Sequence, residues 1–456
     1  MHKCLSLLFI RIILTMKTIN KRLLIIPILL LVPVSSCKKE DPPDPDPNPV
    51  TGITPAQARD SLYYLMNQWY YWYNEMPAVN KNSYADPYKL MEAMRYKPID
   101  RWSFVADYNE FIAQMQGTFV GHGFRIGIDN EGKARIAMIY SKSPLYSGGV
   151  RRGWIVKKIN DVDIAPILIA GDGAAYSSVI GPGQAGITNT FLFQKPDGAE
   201  VTISSTKSSF TINSVLLFDT LHLSSGVTGH LVFESFIQPS SQELTTAFEF
   251  FKTSNVKDLI LDLRYNSGGY LYVAQELASY IVGNEPATAQ ETFAKLQYNN
   301  KNLKYNTPFP FKSMLYHLNL QRLAVITTRL TASASEAVLN GLTPYMDVIT
   351  VGDTTNGKPV GMNGWDVGEK YFFWPVTFKI VNKNNEGEYF DGIIPSKLLP
   401  DDIAHDFDDR NEMCLKEAIH YLTTGSVSAK GITLFKRYPG FSEKPSWMDS
   451  GFTVVK

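Results

Sequence analysis

Small hydroxyl residues stand together in TASASEAV, which runs from Thr331 to Val338 and follows the apolar run LAVITTRL. Serine and threonine commonly cap helices, so one interpretation is a simple strand-to-helix turn. A second is that Ser333 is a nucleophile, because a serine hydroxyl attacks acyl groups once a base removes its proton. A helix that begins directly after Ser333 would also stabilise the oxyanion formed by that attack.

The base for such a serine is not evident among the histidines, since none of the seven lies in a recognisable triad motif. A lysine can serve instead if burial lowers its pKa by disfavouring the ammonium form. Lys358 follows Ser333 by 25 residues and stands on a loop after the strand-like run VITVGD. The two residues together predict acyl transfer, and the alternative for Lys358 is a solvated loop position.

A glycine-rich turn is the third component of the candidate site. LILDLRYNSGG, from Leu259 to Gly269, has the pattern of a buried strand that ends in two glycines. Without Cβ atoms, such a turn can present backbone N–H groups to a ligand. The neighbouring Ser335 and Glu336 are interpreted as structural, through helix capping and favourable interaction with the helix dipole.

The elements that must position these residues form several domains, as expected for 456 residues. The pattern predicts a helical N-terminal domain over 54–115, a β-rich module over 116–211 and an α/β domain over 212–425. Within the last of these, the polar segment 285–312 is interpreted as an insertion or flap. Residues 426–456 form a C-terminal tail to which the sequence assigns no role.

The first helix has a clear local start. Thr54 is the predicted N-cap, and Gln57 completes a capping box with it. Trp69 and Trp72 share an apolar helical face. We interpret this aromatic stripe as part of the core. A scaffold for glycan uptake would instead need exposed aromatic platforms, so the stripe argues against that class of function.

Composition excludes several kinds of site. Lys plus Arg and Asp plus Glu are equal at 44 each, so no basic stripe predicts a nucleic-acid partner. Only Cys414 lies within the predicted fold, as a small core residue, so no zinc site or disulfide framework is expected. The acidic run from Asp401 to Arg410 is interpreted as a solvated loop, with calcium binding as the alternative. No metal and no cofactor is predicted.

The N-terminal residues have the pattern of a secretory signal, with basic residues before a short apolar run. VSSC, ending at Cys37, resembles the lipobox of bacterial lipoproteins, and that resemblance implies a signal peptide over 1–36 and lipid attachment at Cys37. The Pro/Asp-rich residues 37–53 would then be an extended tether. Because Lys38 is not the aspartate of inner-membrane retention, we expect an outer-membrane lipoprotein that faces the periplasm or the surface.

The stretch SPLYSGGVRRGWIVKKINDVDI, Ser143 to Ile164, resembles part of a PDZ domain. In that family a glycine-containing loop offers backbone N–H groups to a peptide carboxylate. The nearest match is HGFRIGI, in which Gly123 and Phe124 would form the loop and Arg125 would add charge. The resemblance implies that an extended peptide adds to the module as a strand; the alternative is a module that only packs.

The order of the PDZ-like module, LDLRYNSGG, TASASE, TTNGKPVG and DGIIP resembles the C-terminal processing, or tail-specific, proteases of the S41 class. The resemblance implies a crotonase-like ββα core within the multi-domain α/β fold. It makes Ser333 the nucleophile and Lys358 the general base. It places the N–H of Ala334 and that of Gly268 or Gly269 in the oxyanion hole, and it implies a polypeptide substrate.

One position departs from that family. Many members carry a glutamine four residues after the lysine, and here the position is Met362. The main expectation is a serine endopeptidase with a Ser333/Lys358 dyad, anchored to a membrane by lipid. The alternative, which Met362 keeps open, is a peptide-binding lipoprotein of the same fold with weak catalysis.

Overall fold

The computed structural model describes residues 52–429, 435–449 and 452–455. Cys37 and the predicted leader lie outside the described residues. Mixed α/β architecture with helices at the N-terminal end, as predicted, is confirmed. In the described part of the chain, no helix combines the length and apolarity needed to cross a membrane.

The N-terminal region begins with a helix whose start agrees with the capping-box prediction. The Thr54 side chain accepts a hydrogen bond from the Gln57 N–H, and the Gln57 side chain accepts one from the Thr54 N–H. The region contains α1 (Pro55–Trp69), a 3-10 turn (Lys81–Ser83), α2 (Pro87–Met94), β1 (Phe104–Asp107) and α3 (Tyr108–Met115).

These N-terminal helices share one hydrophobic core with the α/β region. The ring of Trp69 lies 5.1 Å from that of Tyr305 and 5.5 Å from that of Trp365, so the aromatic stripe packs, as predicted, against distant parts of the chain. Strand β1 also pairs with a strand of the α/β region, in a register that sets Phe104 opposite Trp374.

A β module follows, with a second hydrophobic core of its own. Its main sheet has the order β3-β4-β5-β7-β8, with β6 beside β5, and β2 and β9 form a separate pair. The elements are β2 (Thr118–Gly121), β3 (Phe124–Ile128), β4 (Ala134–Ile139), α4 (Pro144–Ser147), β5 (Ile155–Ile159), β6 (Val162–Asp163), α5 (Ile164–Ala170), α6 (Gly173–Ile180), β7 (Thr188–Gln194), β8 (Glu200–Thr206) and β9 (Ser208–Thr211).

The α/β region is built around a six-stranded sheet in which an antiparallel hairpin leads into parallel strands with buried faces. Such near-continuous apolar strands are typical of sheets covered on both sides. Its elements are β10 (Val215–Leu223), β11 (Gly226–Phe233), α7 (Ser240–Thr253), β12 (Asp258–Asp262), β16 (Arg322–Thr327), α10 (Ala334–Leu342), β17 (Asp347–Gly352), β22 (Lys397–Leu398) and α11 (Met413–Thr424). Their order in the sheet is β10-β11-β12-β16-β17-β22.

A second six-stranded sheet carries the candidate site. It contains β13 (Gly268–Tyr270), β14 (Thr292–Tyr298), β15 (Thr307–Pro310), β18 (Val360–Asn363), β21 (Val376–Val381) and β24 (Phe452–Val455). Their order is β13-β24-β18-β21-β14-β15. Strands β14 and β15 come from the polar segment 285–312, so that segment forms one edge of a sheet and the prediction of a flap is wrong.

The remaining elements connect these layers. They are α8 (Leu271–Val282), α9 (Asn284–Thr288), a 3-10 turn (Leu303–Tyr305), β19 (Trp365–Val367), β20 (Tyr371–Trp374), β23 (Phe441–Ser442) and α12 (Ser446–Asp449). Strands β1, β20 and β19 form a small sheet, and β23 extends the sheet of the β module beside β3.

A buried ionic network joins the β module to the α/β region. The Arg152 guanidinium donates to the Tyr265 hydroxyl at 2.8 Å, to the His405 carbonyl at 3.0 Å and to Asp401 at 3.1 Å. Asp401 also accepts a hydrogen bond from Arg264 at 3.0 Å. The prediction of a solvated acidic loop is therefore wrong at Asp401, because its two arginine partners come from distant parts of the sequence.

We expect Arg152→Met to lower the free energy of unfolding by about 3 kcal/mol, because it leaves buried acceptors without their charged donor. Lys157→Met is the matched control, since the Lys157–Glu200 pair is more than two-fifths exposed on each side and such pairs contribute less than about 1 kcal/mol. Urea unfolding of both variants would check the difference. Equal stability of the two would contradict the assigned role of the network.

Candidate functional site

Ser333 lies on the turn between β16 and α10, at the position where α10 begins. Its φ is 60° and its ψ is −109°, a backbone conformation that costs a non-glycine residue free energy. The turn is held by Asn266, whose carbonyl accepts hydrogen bonds from the Ala332 N–H at 3.0 Å and the Ser335 hydroxyl at 2.9 Å. Strain maintained in this way is found mainly at functional positions.

Glu336 connects the serine turn to the lysine loop. One carboxylate oxygen accepts hydrogen bonds from the N–H groups of Ser333 at 2.7 Å and Lys358 at 2.8 Å. The other accepts from the Gly357 N–H at 2.6 Å and the Thr355 hydroxyl at 2.5 Å. The side chain is fully buried, which raises its pKa, while these four donors act to lower it. Glu336 thus places Ser333 and Lys358 beside one carboxylate.

Lys358 is fully buried, like Ser333. Burial lowers the pKa of its amine to about 7, and the nearby charges of Asp100 and Glu336 oppose that shift. Asp100 belongs to the N-terminal region, where it accepts hydrogen bonds from the N–H groups of Trp102 and Ser103, each at 2.9 Å. The amine therefore has a substantial neutral fraction near pH 7, which a general base requires.

Met362 contacts the amine directly. The Lys358 Nζ lies 3.7 Å from the Met362 Sδ, and the methionine side chain is fully buried in β18. A thioether is a weak acceptor, so it can orient an N–H without binding the ammonium form strongly. The residue that departs from the resembled family thus occupies a position from which it can direct the base.

The two candidate glycines differ in their surroundings. The Gly268 N–H donates to the Asn266 side chain at 3.0 Å. Gly269 has a φ of 139°, and a Cβ there would lie 2.1 Å from the Phe236 carbonyl oxygen, so no other residue fits. These contacts favour Gly269 as the oxyanion donor. Ala334 is the first residue of α10, and the first N–H groups of a helix have no partner within it.

The predicted peptide-binding residues lie together at the start of β3. Phe124 and Arg125 are buried and pair with β4 on one side of β3. Gly123 has a φ of 77°, and its N–H donates to the Glu443 carboxylate at 3.1 Å.

Sequence reasoning missed three residues of the two sites: the linking role of Glu336, Asp100 near the amine, and Glu443. Of these, only Glu336 had a local signal, as the third residue after a helix cap.

Comparison with known proteins identifies two domains in the chain. Residues 227–396 match Peptidase family S41, and residues 57–104 match the Peptidase S41 N-terminal domain. The chain thus contains a peptidase family S41 domain. Its S41 segment contains Ser333, Lys358, Gly268 and Gly269, and it ends before the tail strands.

Two curated relatives are similar in sequence to this chain. The carboxy-terminal processing protease CtpB of Bacillus subtilis is 22% identical over 288 residues, which cover 63% of this chain and 56% of the relative. A probable CtpA-like serine protease of Staphylococcus epidermidis is 23% identical over 58% of this chain and 50% of its own length. The chain thus spans about half the length of the curated relatives it matches.

A solved structure shares the fold. The putative S41 protease from Bacteroides fragilis aligns with a TM-score of 0.65 and 22% identity, covering 80% of this chain and 97% of that chain. This similarity agrees with the mixed α/β fold with a helical N-terminal region described above.

The lysine environment predicts a specific dependence of stability on pH. The pKa of Lys358 is lowered in the folded chain to about 7, whereas an unfolded lysine titrates near about 10.4. Between these values the unfolded chain binds more protons, so this group makes stability rise with pH. We expect the Lys358→Met chain to be more stable than the parent at about pH 7. We also expect its stability to lack the rise with pH that Lys358 causes in the parent.

The measurement is the free energy of unfolding in urea at about pH 7 and about pH 9, for the parent and Lys358→Met. The difference in free energy of unfolding between the parent and the variant isolates the contribution of Lys358 from that of other groups that titrate over the same range. Lys312→Met is the control, because that lysine is partly exposed beside Glu276. A difference that does not change with pH would contradict a buried amine of lowered pKa.

Proposed function

We propose that the chain is a serine endopeptidase that cleaves polypeptides through an acyl-enzyme, with Ser333 as nucleophile and Lys358 as general base. The observation that carries this proposal is the Glu336 carboxylate, which binds the backbone of a strained serine and that of a buried lysine together. Such a reaction requires a nucleophile that a base can deprotonate and a base whose pKa lies near the working pH.

The chemistry follows from the groups at the site. The neutral Lys358 amine takes the hydroxyl proton as the Ser333 Oγ attacks the scissile carbonyl. The oxyanion accepts hydrogen bonds from the N–H groups of Ala334 and Gly269. The lysine then gives its proton to the leaving amine, which departs and leaves the acyl-enzyme. Water, deprotonated by the same amine, attacks the ester and releases the acid and the free serine.

The β module supplies the substrate contact in this proposal. Its β3 edge accepts an added strand, and its glycine loop binds a carboxylate, as in PDZ domains. We also propose that Cys37 carries the lipid anchor and that the body faces the periplasm or the surface from the outer membrane. The alternative function is a catalytically weak peptide-binding lipoprotein, which the replacement of glutamine by Met362 favours.

We expect residues 38–456 to cleave reduced, unfolded casein, with an activity that rises with pH through about 7. Ser333→Ala and Lys358→Met should each lose at least about 1000-fold in kcat/KM, since nucleophile and base act as a unit. Gel and mass-spectrometric assays of the products would measure this loss. Cleavage by Ser333→Ala at the parent rate would overturn the proposal. If the parent binds casein and does not cleave it, that result would favour the alternative function.

Met362 gives a finer prediction. Met362→Leu keeps the buried volume but removes the acceptor at Lys358 Nζ, so kcat should fall by about 3- to 10-fold with KM unchanged. Met362→Gln places a stronger acceptor at the same position, so it should keep or raise kcat. Steady-state kinetics of the two variants against the parent would test the orienting role, which equal values for leucine and glutamine would contradict.

A further inference from the structure

The C-terminal tail reaches both candidate sites of its own chain. Its first strand, β23, pairs antiparallel with β3, with Phe441 opposite Ile126 and Ser442 opposite Arg125. The Phe441 ring stacks on Tyr176 of the β module, with ring centroids 5.0 Å apart. This is the arrangement of a peptide that binds by strand addition, supplied here by the chain itself.

The residue after β23 places its carboxylate in the glycine loop. Glu443 accepts hydrogen bonds from the N–H groups of His122 at 2.7 Å and Gly123 at 3.1 Å. The Lys207 amine lies 3.1 Å from its other oxygen, and the two side chains are 2% and 0% exposed. A carboxylate buried this deeply requires such donors. The loop therefore binds the side chain of an internal glutamate in this structure.

The loop geometry requires glycine. At Gly123, with its positive φ, an added Cβ would lie 2.4 Å from the Ser143 Cβ. Lys207 is also held independently of the glutamate, because its amine donates to the carbonyls of Gly181 at 3.0 Å and Pro182 at 2.9 Å. The carboxylate site is thus built by the module, and Glu443 occupies it.

Beyond Glu443 the tail leaves the module and contacts both the α/β region and the N-terminal region. Lys444 forms an ion pair with Glu234. The Trp447 ring stacks on Phe104 with centroids 5.3 Å apart, and Met448 is fully buried. These contacts hold the tail against the core that those two regions share.

The last strand, β24, then lies between β13 and β18. Gly269 pairs with Thr453, and Met362 pairs with Val454, both in parallel. In the sheet order β24 separates the strand of the candidate oxyanion glycines from the strand of the methionine that contacts the base. The slot between the two strands therefore holds an extended peptide backbone.

The direction of the Gly269 peptide groups supports this placement. The Phe236 N–H donates to the Gly268 carbonyl, and the Tyr270 N–H donates to the Phe236 carbonyl. Since successive residues of a strand point their backbone groups to opposite sides, the N–H of Gly269 faces away from Phe236 and toward β24. The group that would bind the oxyanion thus faces the tail.

We propose that the tail segments 441–449 and 452–455 are a tethered ligand that occupies both peptide-binding sites of the chain and competes with its substrates. The layout also defines the substrates: an extended segment with an acidic side chain at the glycine loop, followed at about the same spacing by a strand in the β13–β18 slot. The kinetic part of this inference rests on the proposed function, and the binding part does not.

The first test is a chain that stops after Asp449, which removes β24 and keeps Trp447 and Met448 in the core. An intramolecular ligand competes at an effective concentration of about millimolar, so its removal should raise kcat/KM for unfolded casein by at least about 10-fold. Circular dichroism and urea unfolding would show that the shortened chain is folded. An unchanged or lower kcat/KM in a folded, active shortened chain would overturn the proposal.

The second test measures binding without catalysis. A fluorescent peptide of sequence SGFTVVK, residues 450–456, should bind the shortened chain carrying Ser333→Ala and should not bind the full chain carrying Ser333→Ala. A scrambled peptide is the control. If no chain cleaves casein and the peptide still shows this selectivity, the endopeptidase proposal fails and the tethered ligand stands. Equal binding to both chains would overturn the tethered ligand.

A third variant leaves the tail in full length. Glu443→Gln removes the charge from the glycine loop while Lys207 keeps its two carbonyl acceptors, so release of the tail should raise kcat/KM by a smaller factor. Glu131→Gln is the matched control, because that carboxylate pairs with Lys133 on the exposed surface of the same module. Identical effects of the two variants would contradict the role of Glu443.

Discussion

The candidate active site depends on the burial of one carboxylate. A buried glutamate is stable only when donors surround it, and the four donors of Glu336 come from the serine turn and the lysine loop. Satisfying Glu336 therefore brings Ser333 and Lys358 together. The Glu336 carboxylate binds the backbone of the lysine loop. Burial lowers the pKa of the Lys358 amine by more than the negative charge of Glu336 raises it, so that pKa stays low. Position and reactivity of the base thus follow from the same constraint.

The rest of the fold supplies what that site needs. The N-terminal region places the charge of Asp100 near the lysine amine, and it shares the core of the α/β region, so both regions contribute to the surroundings of the base. The network of Arg152, Arg264 and Asp401 holds the β module against the same region, with both guanidinium groups buried. Because breaking such a network costs several kcal/mol, the module and the site keep one relative position, and a single segment can reach both.

The sequence predicted those features whose signals are local. Thr54 and Gln57 are three residues apart, and the serine turn and glycine turn each lie within one short stretch. The features that failed depend on distant partners. Asp401 is acidic in a polar run, yet its arginines stand more than 130 residues away. The polar segment 285–312 forms strands because β21 offers it an edge, and no local pattern shows that edge.

The C-terminal tail is the feature that depends most on partners distant in sequence. Its binding equilibrium also sets a limit on how strongly it can inhibit the chain. Strand β24 pairs with segments far from it in sequence, so only the folded chain reveals its role. For a tethered segment, the occupied-to-free ratio is its effective concentration divided by its intrinsic Kd. With roughly millimolar effective concentration and a Kd of roughly 10 µM, that ratio is about 100. A substrate that matches both sites, with an acidic residue for the glycine loop and a strand for the slot, gains the same two contacts and can displace the tail. A substrate that matches only the slot must compete with a tail that is bound at two sites. Selectivity among substrates therefore arises from the spacing between the two sites.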